Sequence, residues 1–210
     1  MLTKLKQKFQ AYIASVAKAA HRVGLTPNRI SAIGIAFAFL SAFAYWKWHL
    51  FSQILLIVAP IFLLISGFFD ALDGVVARLY GQTTAFGGFL DSLLDRYADA
   101  VILVGIILGG LCSLELGLVA LVGSLLVSYT RARAEAEGVK MEAIGLAERA
   151  ERMIILAAAS FVAIVWKEAL TTTGWKEALN WAIIILAILT NFTVLQRAYY
   201  FYKASKRKQE

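Results

Sequence analysis

The chain is poor in the residues that cross-link or interrupt soluble folds. It has one cysteine, Cys112, so no disulfide can form within it, and that thiol reads as a small apolar filler. Two prolines leave room for long helices. Period-2 alternation of apolar and polar residues is missing, which argues against a membrane-spanning barrel. No continuous apolar stretch follows the first lysines, so no signal peptide is expected. Histidine occurs twice, and His21 and His49 both read as interfacial side chains rather than ligands. Aspartate is confined: all five lie between Asp70 and Asp99.

What is abundant is apolar surface. A hydrophobic content of 60% and a mean hydropathy of +0.70 exceed those of a soluble domain and predict an all-α polytopic membrane protein. A span needs about 20 apolar residues. Six segments qualify, at 29–48, 52–79, 86–110, 114–137, 147–167 and 178–202, which predicts six transmembrane helices. Ahead of them, residues 1–25 read as an amphipathic juxtamembrane helix. Leu2, Leu5, Phe9, Ile13, Val16, Ala20 and Val23 recur every three or four positions, with Lys4, Lys8 and Lys18 off the stripe. Gly24 ends it, and Thr26-Pro27-Asn28 turns into the first span. Residues 26–210 then form one transmembrane domain.

The net charge of +7 is segregated as membrane orientation requires, and not as a nucleic-acid surface. The termini and the loops near 80 and 140 take 18 of the 21 lysines and arginines, leaving Lys47, Lys167 and Lys176 opposite. The positive-inside rule makes both ends cytoplasmic. Trp46, Trp48, Trp166 and Trp175 fall at the outer span ends, where interfacial aromatics belong.

The aspartates carry the chemistry. Asp70 and Asp73 are three apart; Asp91, Asp95 and Asp99 are four apart, so each set shares a helical face. Asp73 and Asp91 lie about six residues either side of the turn Tyr80-Gly81-Gln82-Thr83-Thr84, hence level in an antiparallel hairpin, roughly 9 Å from the turn. Bare carboxylates at such a depth cost several kcal/mol. Oxygen-only ligands suit Mg2+, Mn2+ or Ca2+ better than zinc. Asp99 reads as a supporting group paired with Arg96 or another buried polar side chain. Gly87 shares the face of Asp91 and Asp95, and with the small Ala77 it leaves room for a ligand; close helix packing is the alternative reading. Gly105-x3-Gly109 is read as packing between spans or between two copies of the chain.

Written out, the stretch is Asp70-x2-Asp73-Gly74-x2-Ala77-Arg78-x8-Gly87-x3-Asp91-x3-Asp95. It resembles, at all eight positions, the signature of the CDP-alcohol phosphotransferases, and the six-span layout with an interfacial helix is similar to that family too. The resemblance implies transfer of a lipid or alcohol phosphate from a CDP-linked donor to an acceptor hydroxyl, releasing CMP. It further implies that Asp70, Asp73, Asp91 and Asp95 form the site of two divalent cations (Mg2+ or Mn2+), with Asp95 also serving as general base. Asp70, Asp73, Gly74, Ala77, Arg78 and Gly87 would receive the CDP-lipid, with Asn28 and Ser31 at the start of the first span. A homodimer is also implied.

A second constellation is Ser128-Tyr129-Thr130-Arg131-Ala132-Arg133-Ala134-Glu135 followed by Glu148-Arg149-Ala150-Glu151-Arg152. Several arginines suit a phosphorylated ligand; pairing with the intervening glutamates is the ordinary alternative. These stretches resemble those of phosphatidylinositol-phosphate synthases and their archaeal counterparts. That likeness implies inositol 1-phosphate as acceptor, with Ser128, Arg131, Arg152 and Arg197 around its phosphate, and CDP-diacylglycerol or CDP-archaeol as donor. Glycerol 3-phosphate is the rival acceptor. A cation transporter is the rival from another class, since intramembrane carboxylates also mark ion pathways. A non-catalytic lipid-binding scaffold is a third reading.

Overall fold

A computed structural model of the chain describes residues 2–50, 54–141, 144–165 and 172–207; the side chains of residues 1–11 fall outside that description. Trp166, Lys167 and Lys208 lie outside the described residues. Among those described, seven helices and no strand are formed: α1 (Leu2–Arg22), α2 (Pro27–Lys47), α3 (Ile54–Leu79), α4 (Ala85–Leu108), α5 (Leu114–Ala136), α6 (Arg149–Val165) and α7 (Thr172–Arg207). Apolar runs of this length favour helix because it alone satisfies every backbone group without a neighbouring strand. The turns between them come from local chemistry. α3 closes where Gly81 adopts φ 62°, and the Gln82 N–H reaches back to the Ala77 carbonyl at 2.9 Å. α4 restarts three residues later, capped by the Thr84 hydroxyl, which accepts from the Gly87 N–H at 2.9 Å.

Four of these helices are long and apolar enough to cross a membrane: α2, α3, α5 and the Gly174–Lys206 part of α7. Six had been expected. α4 falls short because Asp91, Asp95, Arg96 and Asp99 sit within it. The described part of α6 is only 17 residues, opening on Arg149, Glu151 and Arg152. α4 is excluded by its charges and the described part of α6 by its length, and both carry charge into the bundle.

Packing divides the bundle into two groups of three. α2 lies against α3 and α4, α7 lies against α5 and α6, and the groups meet through α3–α6 and α4–α5. Ala38, Tyr45, Leu56, Leu63, Ile106 and Leu186 belong to the shared core. Outside, Phe39, Phe43, Ile61, Leu118, Val122 and Ile188 are exposed, an apolar exterior that water would not tolerate and hydrocarbon does. Inside, small polar groups pair across helices, as membrane bundles do: Ser41 donates to the Ala59 carbonyl at 2.8 Å, and the Tyr45 and Ser160 hydroxyls meet at 2.7 Å. Cys112 is buried in the same core.

Two expectations change, and of two open readings of Gly105 and Gly109 the packing between spans is the one found. Trp175 is 3% exposed and belongs to the core, so it is not an interfacial anchor. Val23 is 75% exposed because α1 ends at Arg22 and the chain reverses at Gly24. The packed face of α1 is instead Ile13, Ala17 and Ala20, against Ile30, Leu72 and Val76. Gly105 and Gly109 face the Ala42 and Tyr45 backbone of α2, where a Cβ would collide with main-chain atoms. The pair is therefore spent inside the chain, bringing α4 onto α2. Gly105→Val should cost about 1–3 kcal/mol through overpacking. It would be seen as a lowered unfolding midpoint in detergent, and an unchanged midpoint would contradict that approach.

Candidate active site

The α3–α4 hairpin brings Asp70, Asp91 and Asp95 together, each half-buried, with carboxylate oxygens all within 4.8 Å of one another. The i, i+3 and i, i+4 spacings had predicted the facing sets; the level crossing of the two helices makes them one cluster. Asp73 stands apart from this trio. It is 4% exposed and accepts a hydrogen bond from the Ser31 hydroxyl of α2, lining the adjoining cleft. The donor set is carboxylate oxygen only, with neither histidine nor cysteine in the cluster, and that fits a hard divalent cation.

Positive charge reaches the cluster from α6. Arg149 Nη1 lies 2.6 Å from Asp70 Oδ1 and also ion-pairs with Asp95. Its Nε is 3.5 Å from Asp99 Oδ1. Arg152, 5% exposed, ion-pairs with the other Asp99 oxygen and donates to the Ala147 carbonyl at 2.7 Å. Of the two partners expected for Asp99, the other buried polar side chain is thus Arg152, while Arg96 turns to the Ser92 carbonyl and lies 3.9 Å from Asp95. The place of Arg149 among the aspartates was not foreseen. Its Glu-Arg-x-Glu-Arg setting was the only signal, and that gave spacing without a partner.

Two cavities flank the cluster. The smaller, about 190 Å3, is lined by Asn28, Ser31, Asp73, Gly74, Ala77, Arg78 and Gly87, every CDP-site candidate except Asp70. Gln82, Thr83 and Thr84 of the turn line it too and were missed. Gly87 is needed there: a Cβ would press on the Thr84 hydroxyl at 2.9 Å and face Asn28 Oδ1 at 3.7 Å. The larger cavity, about 390 Å3, is lined by Ser128, Arg131, Arg152 and Arg197, with Asp70 and Asp95 in its wall. Arg197 is 1% exposed. It donates to the Ile144 carbonyl at 2.7 Å and the Val127 carbonyl at 2.5 Å, tying the α5–α6 loop to α7. Glu148 sits between Arg197 at 3.5 Å and Arg131 at 4.0 Å, while Arg131 Nε bonds Glu135 at 3.0 Å.

An apolar helical bundle that holds an acidic cluster between two polar cavities suits a membrane enzyme that brings two polar groups together. Residues 24–194 match the model of the CDP-alcohol phosphatidyltransferase family, and the chain belongs to that family. It is 39% identical over 207 residues to an archaetidylinositol phosphate synthase of Pyrococcus horikoshii, covering 99% of this chain and 98% of that protein. The fold is similar to a crystal structure of Mycobacterium tuberculosis phosphatidylinositol phosphate synthase with CDP-DAG bound (TM-score 0.75, 28% identity, 90% and 93% of the two chains). It is also similar to that enzyme in complex with manganese and citrate (TM-score 0.74, 28% identity, 90% and 88%). Family membership sets the transporter reading aside.

The Asp99–Arg152 pair makes a stability prediction. Arg152→Met leaves Asp99 with part of its compensation gone, at a cost of about 3–5 kcal/mol for a broken buried pair. Adding Asp99→Asn should recover much of that loss in detergent unfolding; no recovery would refute the pairing.

Proposed function

We propose that this protein moves a phosphatidyl or archaetidyl group from CDP-diacylglycerol or CDP-archaeol to inositol 1-phosphate, releasing CMP. The observation that carries the reading is the position of the aspartates, of which Asp73 and Asp91 line one cavity and Asp70 and Asp95 the other. A donor diphosphate in the first and an acceptor hydroxyl from the second would meet at the carboxylates. Relatives named for inositol phosphate products support the acceptor.

In this reading Asp70, Asp91 and Asp95, with Asp73 beside them, hold two divalent cations, Mg2+ or Mn2+. Bound there, the cations supply charge neutralisation on the transferred phosphorus and on departing CMP. Asn28, Ser31, Gly74, Ala77, Arg78 and Gly87 seat the CDP portion, Gly87 by offering a flat wall and Arg78 by charge. Asp95 accepts the acceptor's hydroxyl proton as its oxygen attacks the lipid-bearing phosphorus and the bond from that phosphorus to the CMP oxygen breaks. Ser128, Arg131, Arg152 and Arg197 receive the acceptor phosphate. Arg131 has the freest guanidinium of the three, being held only by exposed glutamates.

The setting follows from the same reading. All six of α2–α7 cross the bilayer, α4 and α6 with their charged halves turned inward. α1 lies along the interface as an amphipathic helix, its Ile13-Ala17-Ala20 face on the bundle and Lys18 exposed. Both termini and the site face the cytoplasm. The protein is a homodimer, through a surface other than Gly105 and Gly109.

Purified protein given a CDP-lipid and Mg2+ should release CMP with inositol 1-phosphate and not with serine or free inositol; release with glycerol 3-phosphate alone would replace the acceptor. Asp95→Asn should lower kcat by about 10²–10⁴ with donor binding kept. Arg131→Ala should raise the acceptor KM by about tenfold or more, as loss of a charged hydrogen bond implies. An unchanged KM would remove Arg131 from the phosphate site.

A further inference from the structure

Arg149 occupies ground that a cation would need. Its guanidinium pairs with Asp70 at 2.6 Å and with Asp95, two of the three residues whose oxygens converge within 4.8 Å. A carboxylate oxygen cannot give its best lone pair to a guanidinium and to a divalent ion at once. Arg149 is also poorly satisfied where it stands: its Nε is buried without a hydrogen-bond acceptor among the described residues. That Nε already faces Asp99 at 3.5 Å. Asp99 lies one helical turn beyond Asp95 on the same face of α4.

We propose that Arg149 is a positioning residue with two seats, holding Asp70 and Asp95 together in the metal-free protein and falling back onto Asp99 when divalent cations load. Asp99 then has a defined role as the second seat, shared with Arg152. The move releases Asp95 from its guanidinium, so the carboxylate read above as the base becomes free only in the loaded site. The proposal rests on the reading of Asp70, Asp91 and Asp95 as cation ligands.

The test is Mn2+ affinity of the full chain in detergent, measured by the electron paramagnetic resonance signal of free Mn2+, without substrate or turnover. Arg149→Gln should tighten binding by about fivefold or more, the usual floor for coupled sites. Asp99→Asn should weaken it by a similar factor, because Arg149 loses its alternative seat. In the Arg149→Gln background, Asp99→Asn should have almost no effect. That non-additivity separates two seats from simple addition of charges, in which Asp99→Asn weakens Mn2+ equally in both backgrounds. Equal weakening overturns the proposal, as does unaltered affinity in Arg149→Gln. Arg149→Lys, which keeps the charge but not the two-pronged fork, covers the case of a poorly folded glutamine variant. It should tighten Mn2+ by a smaller factor, and no tightening counts against the proposal. Asp91→Asn, which touches no arginine seat, tests the underlying site. If it binds Mn2+ as the unsubstituted chain does, the cation reading fails and the proposal with it. If it loses Mn2+ while Arg149→Gln binds no tighter, only the two-seat proposal fails.

Discussion

Three carboxylates drawn within 4.8 Å inside a helical bundle repel one another by about 3 kcal/mol or more per pair at an effective dielectric near 20. A single hydrogen bond, at about 1 kcal/mol net, cannot hold such a cluster closed. Positive charge must therefore enter, and the rest of the site is arranged around that need. In this structure it comes from α6, whose Arg149 spans Asp70 and Asp95 while Arg152 takes Asp99. The same need makes the cluster a natural seat for divalent cations, which deliver twice the charge in far less volume.

That electrostatic demand explains why α6 begins where it does. Arg197 of α7 fastens the α5–α6 loop by donating to the Ile144 carbonyl and holds α5 by donating to the Val127 carbonyl, and the Leu146 N–H donates to the Thr193 hydroxyl at 3.2 Å. Gly145 adopts φ 132°, and a Cβ there would crowd Thr193 and the Arg197 guanidinium. The loop is thus pressed flat on α7, and it delivers Glu148, Arg149 and Arg152 to one cavity wall. Two readings of Arg197 converge here, since a guanidinium with five donors can strap a loop with two and still face a cavity with the others.

The all-α membrane architecture was legible because lipid-facing helices repeat a simple physical requirement: long apolar runs broken by short turns. The ends of α2 to α5 fell within two residues of the expected segments for the same reason, whereas α7 starts six residues earlier and ends five later than the 178–202 expected. Length and composition together recover only four spans, and they miss the very helices, α4 and α6, that carry the charged machinery. Trp175 shows the opposite error, an aromatic at a span end that packing draws into the core. Gly105 and Gly109 could not be assigned from spacing, since a small-residue face looks alike whether it meets α2 or a second molecule.

Spacing along one helix was enough to place the aspartates on facing sides of a hairpin, because 3.6 residues per turn leaves no freedom once the helices form. The sequence by itself therefore determined the acidic faces, the glycine-walled cleft and the chemistry they suit. It did not determine which carboxylates converge, that Asp73 bonds Ser31, or that Arg149 stands among the aspartates. Those outcomes depend on how α2, α3, α4 and α6 lie against one another, contacts between residues up to 79 positions apart. No local periodicity encodes such partners, and only the packed bundle selects among them.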